Sequence, residues 1–166
     1  MKLLIFSDNH GERENIPRII AKHSPLDRII SLGDSEMKER ELSDLNIFGV
    51  KGNFPFEPKF PYDLNFVYEG LNCFFTHGHL YSVKSGITNL KELAKTRNYN
   101  LVCFGHTHKT YLEEKEGIIF LNPGSLSTWR SNQNPTYAIL SLTDEKIEIT
   151  IYNIYGNIMN LYEKKR

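Results

Sequence analysis

The sequence predicts an α/β fold in which two packed β-sheets carry helices on their outer faces. Three observations support this prediction. Residues 2–50 alternate apolar strands with helices, residues 64–104 add a hairpin, a helix and a strand, and residues 109–152 contain only short strands. The 166 residues suit one domain, 1–166, and are enough to bury a sizeable core.

The first half predicts a parallel sheet. Residues 2–7 form a continuous apolar run, typical of a strand covered on both faces. Residues 12–22 have isoleucines at helical spacing, and Pro17 is acceptable there only in the first helical turn. We predict further strands at 27–32 and 46–50, with a charged helix at 36–44 between them. Such a βαβαβ order implies right-handed crossovers.

The second half predicts a more strand-rich arrangement. Residues 64–69 and 71–76 read as a hairpin that turns at Glu69-Gly70. A helix at 86–97 and a buried strand at 101–104 follow. Short strands are then expected near 109–114, 118–121, 136–142 and 146–152, and the last dozen residues are expected to be a frayed or edge segment.

The composition bears on which partners and which cellular compartment we expect for this protein. Twenty Lys and Arg residues balance twenty Asp and Glu residues, so no net field favours nucleic acid or a membrane, although nucleic acid is not excluded as a local partner. We find no signal peptide and no apolar run of membrane-spanning length, so we expect a cytoplasmic protein without a membrane partner. Cys73 and Cys103 fall inside predicted strands and are expected to be buried free thiols. His23 is interpreted as an ordinary surface residue at a helix end.

Five predicted strands end in a polar side chain that could bind a metal, each beside a glycine. The segments are Ser7-Asp8-Asn9-His10-Gly11, Leu32-Gly33-Asp34, Lys51-Gly52-Asn53, Thr76-His77-Gly78-His79 and Gly105-His106-Thr107-His108. Side chains at the carboxyl ends of parallel strands converge on one crevice, and glycine lets neighbouring loops approach closely. The pairs Asp8/His10 and His106/His108 are spaced by two, which on locally extended backbone places both side chains on one side.

Each motif alone also has a purely structural interpretation. A single Gly-Asp usually marks a turn, and His-x-His is also found on ordinary surfaces. The repetition at five strand ends favours a metal site. Imidazole, carboxylate and amide oxygen suit Mn²⁺, Ni²⁺, Fe or Zn²⁺, and the absence of thiolate speaks against a structural zinc site.

These motifs, in this order, resemble those of the calcineurin-like metallophosphoesterases. The small phosphodiesterases of the YfcE type are the more similar branch, since they share the segment Asn122-Pro123-Gly124-Ser125. The resemblance implies a four-layer α/β/β/α sandwich of two mixed sheets flanked by helices. It also implies that Asp8, His10, Asp34 and His108 bind one metal and that Asp34, Asn53, His77 and His106 bind a second, with Asp34 bridging. His79 would lie beside the substrate phosphate or behind the ligands.

The resemblance therefore implies a metal-dependent phosphodiesterase with a dinuclear site, and Asp34, Asn53 and His79 as its catalytic residues. Two divalent ions, with Mn or Ni expected and Fe or Zn open, would attract a small phosphodiester substrate. They would also acidify a bridging water to hydroxide for in-line attack. The sequence does not identify the natural substrate or the oligomeric state, and a homodimer is compatible with it.

The third motif departs from the family pattern. It reads Gly52-Asn53-Phe54-Pro55, whereas relatives carry Cys or His at the third position, and Phe54 cannot protonate a leaving group. General acid catalysis contributes about 10²–10⁴-fold, so we expect slow turnover that favours aryl diesters, with His79 as the candidate replacement. The retromer subunit Vps29, which resembles this fold, also has a phenylalanine after its third motif. This resemblance gives an alternative function: a protein-binding scaffold with a weakly active or vestigial metal site.

Two segments near these motifs have structural and functional interpretations. Residues 54–62 hold three prolines and four aromatics and predict a stiff connector, either packed on the sheet or forming a wall of the cleft. Arg130 could pair with a phosphate in a bidentate manner.

Overall fold

The computed structural model describes residues 1–56, 59–130 and 134–166. Glu57 and Pro58, in the predicted connector 54–62, lie outside the described residues. The strands are β1 Lys2–Phe6, β2 Arg28–Ser31, β3 Ile47–Gly49, β4 Asp63–Tyr68, β5 Leu71–Thr76, β6 Leu101–Cys103, β7 Thr110–Lys115, β8 Ile118–Pro123, β9 Thr136–Leu142, β10 Lys146–Asn153 and β11 Ile158–Lys165. The α-helices are α1 Asn15–His23, α2 Glu39–Asp44 and α3 Thr88–Arg97, and two short 3₁₀ helices span His79–Tyr81 and Val83–Ser85.

The strands form two mixed sheets, as predicted. The six-stranded sheet has the order β11-β10-β9-β1-β2-β3, and the five-stranded sheet has the order β4-β5-β6-β8-β7. Within them, β1-β2-β3 are parallel and so are β5-β6-β8, while the other pairs are antiparallel. Each sheet therefore has three parallel strands whose carboxyl ends point the same way along that sheet.

Three apolar clusters define four layers. The first cluster joins the inner faces of the two sheets, for example Leu3 and Ile5 of β1 with Phe75 of β5. The second lies between the six-stranded sheet and helices α1 and α2, and the third lies between the five-stranded sheet and α3. Alternate residues of β1 belong to different clusters, which explains why its sequence is apolar throughout. The predicted helix–sheet–sheet–helix arrangement is confirmed.

The first two helices begin later than predicted because the residues before them serve the strand-end loops. Helix α1 begins at Asn15 and not at residue 12, since the Glu12 carboxylate accepts hydrogen bonds from Ser127 and Thr128. Helix α2 begins at Glu39 and not at residue 36. Glu36 has a left-handed backbone and turns toward His10.

The second half follows the prediction with smaller differences. The hairpin β4-β5 turns at Glu69-Gly70, both with positive φ as a tight primed turn requires. The two 3₁₀ helices between β5 and α3 were not predicted. Residues 158–165 form the edge strand β11 beside β10, which fits the edge alternative. Cys73 and Cys103 are buried free thiols, as predicted. In the described ranges, no helix has the length and apolarity needed to cross a membrane.

The interpretation of His23 as a surface residue was wrong. Its side chain is buried where the end of α1 packs on the six-stranded sheet, and its Nε2 lies 3.0 Å from the hydroxyl of Tyr137. The rings of Tyr137 and Tyr152 lie against it. A histidine at the end of an amphipathic helix gives no sequence signal that separates the buried position from the exposed one.

Candidate metal centre

All the predicted ligands lie at one edge of the two sheets. Asp8, Asp34 and Asn53 follow β1, β2 and β3, while His77 and His106 follow β5 and β6. The parallel strands of both sheets thus end at the same place, and hydrogen bonds tie their loops together. The Asp8 N–H donates to the Gly33 carbonyl at 3.0 Å, and the Gly105 N–H donates to the His77 carbonyl at 3.1 Å.

The expected extended backbone around Asp8/His10 and His106/His108 was wrong. These four residues and Asp34 have φ between 46° and 66°, the left-handed region that non-glycine residues seldom adopt. Asp and His are among the residues that tolerate it best. Such strain costs about 1–3 kcal/mol per residue and persists where the surroundings enforce it, typically at functional sites.

Two glycines are required because the loops approach too closely for a side chain. A Cβ on Gly52 would lie 2.0 Å from Asp34 Oδ1, and a Cβ on Gly105 would lie 2.0 Å from Ser7 Oγ and 2.9 Å from Asp8 Oδ2. The predicted role of glycine beside the polar residues is confirmed at these positions.

The first group of donor atoms comprises Asp8, His10 and His108. His10 Nε2 lies 3.3 Å from His108 Nε2 and 4.0 Å from Asp8 Oδ1, and His108 Nε2 lies 3.1 Å from Asp8 Oδ1. Asp8 and His10 are buried, and His108 is partly exposed. The three side chains present their donor atoms to a common point.

The second group surrounds the buried His77. Its Nε2 lies 3.1 Å from His106 Nδ1, 3.2 Å from Asn53 Oδ1 and 3.6 Å from Asp34 Oδ2. Asp8 Oδ1 is 3.9 Å from the same nitrogen, so the two groups adjoin at Asp8. The structure brings all seven predicted ligands together, and the bridging role of Asp34 stays a prediction.

The hydrogen bonds behind three histidines direct their Nε2 atoms into the centre. His77 Nδ1 lies 2.7 Å from the Leu32 carbonyl, His10 Nδ1 lies 2.7 Å from Glu36 Oε1, and His108 Nδ1 lies 3.3 Å from the Arg130 carbonyl. Because a carbonyl oxygen only accepts, Nδ1 of His77 donates to Leu32 and Nδ1 of His108 donates to Arg130, so that Nε2 of both rings faces the centre. His10 Nδ1 lies between Glu36 Oε1 and Arg130 Nη1, at 2.7 Å and 3.1 Å, and its Nε2 also faces the centre.

The result is a set of nitrogen and oxygen atoms, each able to bind a metal, that face one another. The Asp8 Oδ1 atom is buried without a hydrogen-bond donor of good geometry. Acceptors in this arrangement repel unless protons or cations lie between them. Two donor atoms about 2.1 Å from one ion, at ordinary coordination angles, are about 3.0–3.4 Å apart. The observed separations of 3.1–3.3 Å therefore fit divalent ions.

The charges in the centre favour the metal-binding forms of Asp8 and His106, whereas the carboxylate of Asp8 favours protonation of His108. Burial alone would raise the pKa of Asp8, but His108, His77 and Ser7 together lower it. Burial, with added repulsion from His77 and Lys84, lowers the pKa of His106 to about 4. The bond with Asp8 raises the pKa of His108. Asp8 is thus ionised and His106 neutral at pH 7, which are the forms that bind metals.

Glu36 is a candidate functional residue that the sequence did not predict. Its carboxylate holds His10 and lies 3.3 Å from the Arg130 guanidinium, which also stacks 4.4 Å from the Trp129 ring. Carboxylates commonly orient metal-binding histidines in this way. A glutamate two residues after Gly33-Asp34 is the only sequence signal, and it is a weak one. Arg130 lies at the centre, where it could reach a substrate phosphate.

The segment Asn122–Ser125 braces the loops. The Asn122 side chain donates to the Gly105 carbonyl at 2.9 Å and to Thr107 Oγ1 at 3.1 Å, and Ser125 Oγ donates to the Asp8 carbonyl at 2.8 Å. This turn therefore holds the loops that follow β1 and β6 in their strained conformations.

Phe54 contributes its backbone to the centre, and its side chain lies outside it. Its N–H donates to Asp34 Oδ1 at 2.9 Å, while its ring packs edge-on against Phe56 and lines a cavity with Met37. Phe60 packs against the apolar cluster beneath α1 and α2. The described part of the connector 54–62 thus shows features of both interpretations, a cleft wall and a packed loop.

His79 lies beside the second group. Its ring centroid is 5.3 Å from that of His77 and 6.1 Å from that of His106, and its Nδ1 is buried without a partner in the described structure. Burial and the neighbouring His77 lower its pKa, so the neutral ring prevails at pH 7.

Comparison with known proteins agrees with the fold and the motifs. Residues 1–145 match the family described as the calcineurin-like phosphoesterase superfamily domain. A probable metallophosphoesterase of Bacillus subtilis is 33% identical over 158 residues, covering 95% of this chain and 94% of its own. A phosphodiesterase of Methanocaldococcus jannaschii is 30% identical, covering 88% of this chain and 95% of its own.

Solved structures show the same fold. A predicted phosphoesterase of Streptococcus pneumoniae superposes with a TM-score of 0.85 at 24% identity, over 99% of this chain and 97% of its own. Vps29 of Entamoeba histolytica, in complex with zinc, superposes with a TM-score of 0.80 at 21% identity, over 99% of both chains.

Proposed function

Because the chain belongs to the calcineurin-like phosphoesterase superfamily, we propose that it is a metal-dependent phosphodiesterase with two divalent ions at this centre. Asp8, His10, Asp34 and His108 would hold one ion, and Asp34, Asn53, His77 and His106 the other. Mn²⁺ or Ni²⁺ suits the nitrogen and oxygen donors, and Fe or Zn²⁺ is compatible with them.

One observation carries the proposal. Histidine nitrogens face each other and face Asp8 and Asn53 oxygens at 3.1–3.3 Å in two adjoining groups, and the outer nitrogens of three of these rings lie close to oxygens of the protein. An apo protein without a need for cations would gain nothing from burying these donor atoms together. The presence of two groups of donor atoms is evidence for two bound ions.

The bound ions would supply Lewis acidity, polarising a phosphate and acidifying a shared water near neutral pH. The chain would do the positioning. The Leu32 carbonyl and Glu36 fix the rings of His77 and His10, and the Phe54 N–H fixes Asp34. Neutral His79 is suited to hold a phosphate oxygen by a hydrogen bond, and Arg130 adds a positive charge at the rim.

The side chain at Phe54 carries no proton donor for the leaving group. We therefore infer that aryl esters, whose leaving groups depart as anions, are hydrolysed fastest. Burial lowers the pKa of His79, so its ring is neutral at pH 7. A neutral ring can donate an N–H hydrogen bond to phosphate but is a poor source of a proton for the leaving group.

The test replaces Asp34 by Asn. The substitution removes the negative charge that serves both ions and keeps the shape, so Asp34→Asn is expected to lose metal and hydrolysis of bis(p-nitrophenyl) phosphate together, with activity down at least about 100-fold. Asp44→Asn, at an exposed aspartate of α2, is the matched control and should keep both. Elemental analysis and Mn²⁺- or Ni²⁺-dependent hydrolysis are the measurements.

Full activity with normal metal content in Asp34→Asn would refute the assignment. Activity of the unchanged protein should also disappear with a chelator and return with Mn²⁺. Persistent activity in chelator would contradict the metal mechanism.

A protein-binding scaffold is the second candidate. The fold shared with Vps29 and the Phe54 side chain in the third motif favour it. A protein that binds two ions per chain yet hydrolyses no phosphodiester in a broad panel would support this role over the enzymatic one.

A further inference from the structure

A cavity of about 740 Å³ opens beside the metal centre, and its lining combines lysines with apolar walls. We call it the lysine pocket: Lys84, Lys109, Lys115, Phe104, Thr107 and Tyr111, with the adjoining segment 83–87. Its volume lies within the roughly 300–1,000 Å³ of small-molecule sites. Thr107 stands between His106 and His108, so the pocket adjoins the loop that supplies two proposed ligands.

Two of the three lysines have no carboxylate partner among the residues that the structure describes. Lys115 pairs with Glu113 at 3.0 Å and lies over the Tyr111 ring. Lys84 and Lys109 form no ion pair with any carboxylate in the part of the chain that the structure describes. Other lysines differ: Lys91 and Lys95 both pair with Glu116. In a chain with no net charge, this pocket is therefore locally positive.

The pocket also has aromatic side chains in its lining. Phe104 is buried at the edge of the cluster beneath α3, and Tyr111 packs at 6.0 Å from its ring. Lys84 lies near enough to the centre for its charge to act on both His106 and His108. An ammonium is a compact charge that binds phosphate well, and an aromatic wall accepts a ring or an apolar group.

We propose that the lysine pocket binds a second, non-scissile phosphate and the ring attached to it, so that the substrate is a nucleotide-like phosphodiester with a further phosphate. The proposal rests on the proposed function, because it assumes that the scissile phosphate lies at the metal centre. Lys84 and Lys109 would pair with the second phosphate.

The test compares two probes that differ by one phosphate: thymidine 3′,5′-bisphosphate and thymidine 5′-phosphate. Their affinities for the Mn²⁺-loaded protein are measured by calorimetry. A charge-assisted contact corresponds to about tenfold in affinity, so the bisphosphate is expected to bind about tenfold more tightly. Lys84→Met and Lys109→Met remove the ammonium group and keep an unbranched chain of similar length. Each should reduce this preference severalfold.

Lys95→Met is the matched control, since it removes one lysine of α3 outside the pocket and should keep the preference. Equal affinities for the two probes in the unchanged protein, or a preference unaltered by both pocket variants, would overturn the proposal. So would no measurable binding of either probe.

Hydrolysis of the p-nitrophenyl esters of the same two nucleotides separates this proposal from the function on which it rests. No hydrolysis of either ester, with the binding preference intact, refutes the phosphodiesterase and supports the pocket. Metal-dependent hydrolysis of both esters with equal kcat/KM, together with equal binding, refutes the pocket alone.

Discussion

At the residue scale, the centre depends on conformations that ordinary side chains avoid. Five proposed ligands have left-handed backbone, and the loops that carry them touch through glycines. The hydrogen bonds from Ser125 and Asn122 hold these loops in place. These contacts within the protein position the donor atoms, which reduces the cost of ordering them when a cation binds.

Gly52 provides a direct test of this preorganisation. A Cβ there would lie 2.0 Å from Asp34 Oδ1 and 2.4 Å from Asp34 N, so Gly52→Ala must displace Asp34. We expect Mn²⁺ affinity to fall at least about tenfold, in the range found when support of a ligand is lost, as measured by calorimetry.

The control for Gly52→Ala is Gly117→Ala. Gly117 has φ +80° and nothing near its would-be Cβ, so its replacement costs only backbone strain, about 1–2 kcal/mol of stability. It should retain full Mn²⁺ affinity. Unchanged Mn²⁺ affinity in Gly52→Ala would show that the close approach of the two loops is not needed.

His79 tests how the substrate phosphate is held. If the neutral ring donates a hydrogen bond, His79→Leu should lower kcat/KM for bis(p-nitrophenyl) phosphate about tenfold, while His79→Gln, which keeps an N–H donor, should retain most of it. Metal content should stay normal in both. Equal losses in the two variants would instead indicate proton transfer, and no loss in either would exclude a role.

At the scale of elements, the end of α1 shows how packing determines pH dependence. Burial, together with the charges of Lys2 and Lys22, lowers the pKa of His23. The folded protein thus favours the neutral ring, whereas the unfolded chain takes up a proton near its ordinary pKa of about 6.5. The stabilisation is complete above that value and is lost as pH falls through it toward the lower folded pKa.

We therefore expect the free energy of unfolding to decrease less between pH 7.5 and 5.5 in His23→Gln than in the unchanged protein. Urea denaturation of both proteins in chelator, so that metal ligands contribute equally, measures the difference. The same pH dependence in both proteins would contradict the inferred neutral state of His23.

The element scale also shows what the sequence could and could not predict. Continuous apolar runs predicted the buried strands β1, β5 and β6, because both faces of these strands are covered. The start of α1 was placed too early because Glu12 bonds to residues 127 and 128, which are remote in sequence. The left-handed φ of Asp8 and His10 depends on contacts with the loops after β2 and β8, which no local pattern encodes.

At the scale of the whole molecule, the site is a product of topology. Neither sheet supplies it alone: Asp8, Asp34 and Asn53 come from one sheet, and His77 and His106 come from the other. The apolar cluster between the sheets brings the two sets of strand ends together. The convergence of the seven proposed ligands was predictable because polar residues beside glycine recur at strand ends. Glu36 and the lysine pocket were not, since only the packed loops bring them to the centre.

We propose that seven side chains of this protein hold two divalent ions. Anomalous diffraction from crystals grown with Mn²⁺, recorded on both sides of the Mn absorption edge, tests it most directly. The expected result is two peaks about 3.5–4 Å apart between the donor atoms of His10, His77 and His108. A single peak, no peak, or peaks away from these side chains would contradict it.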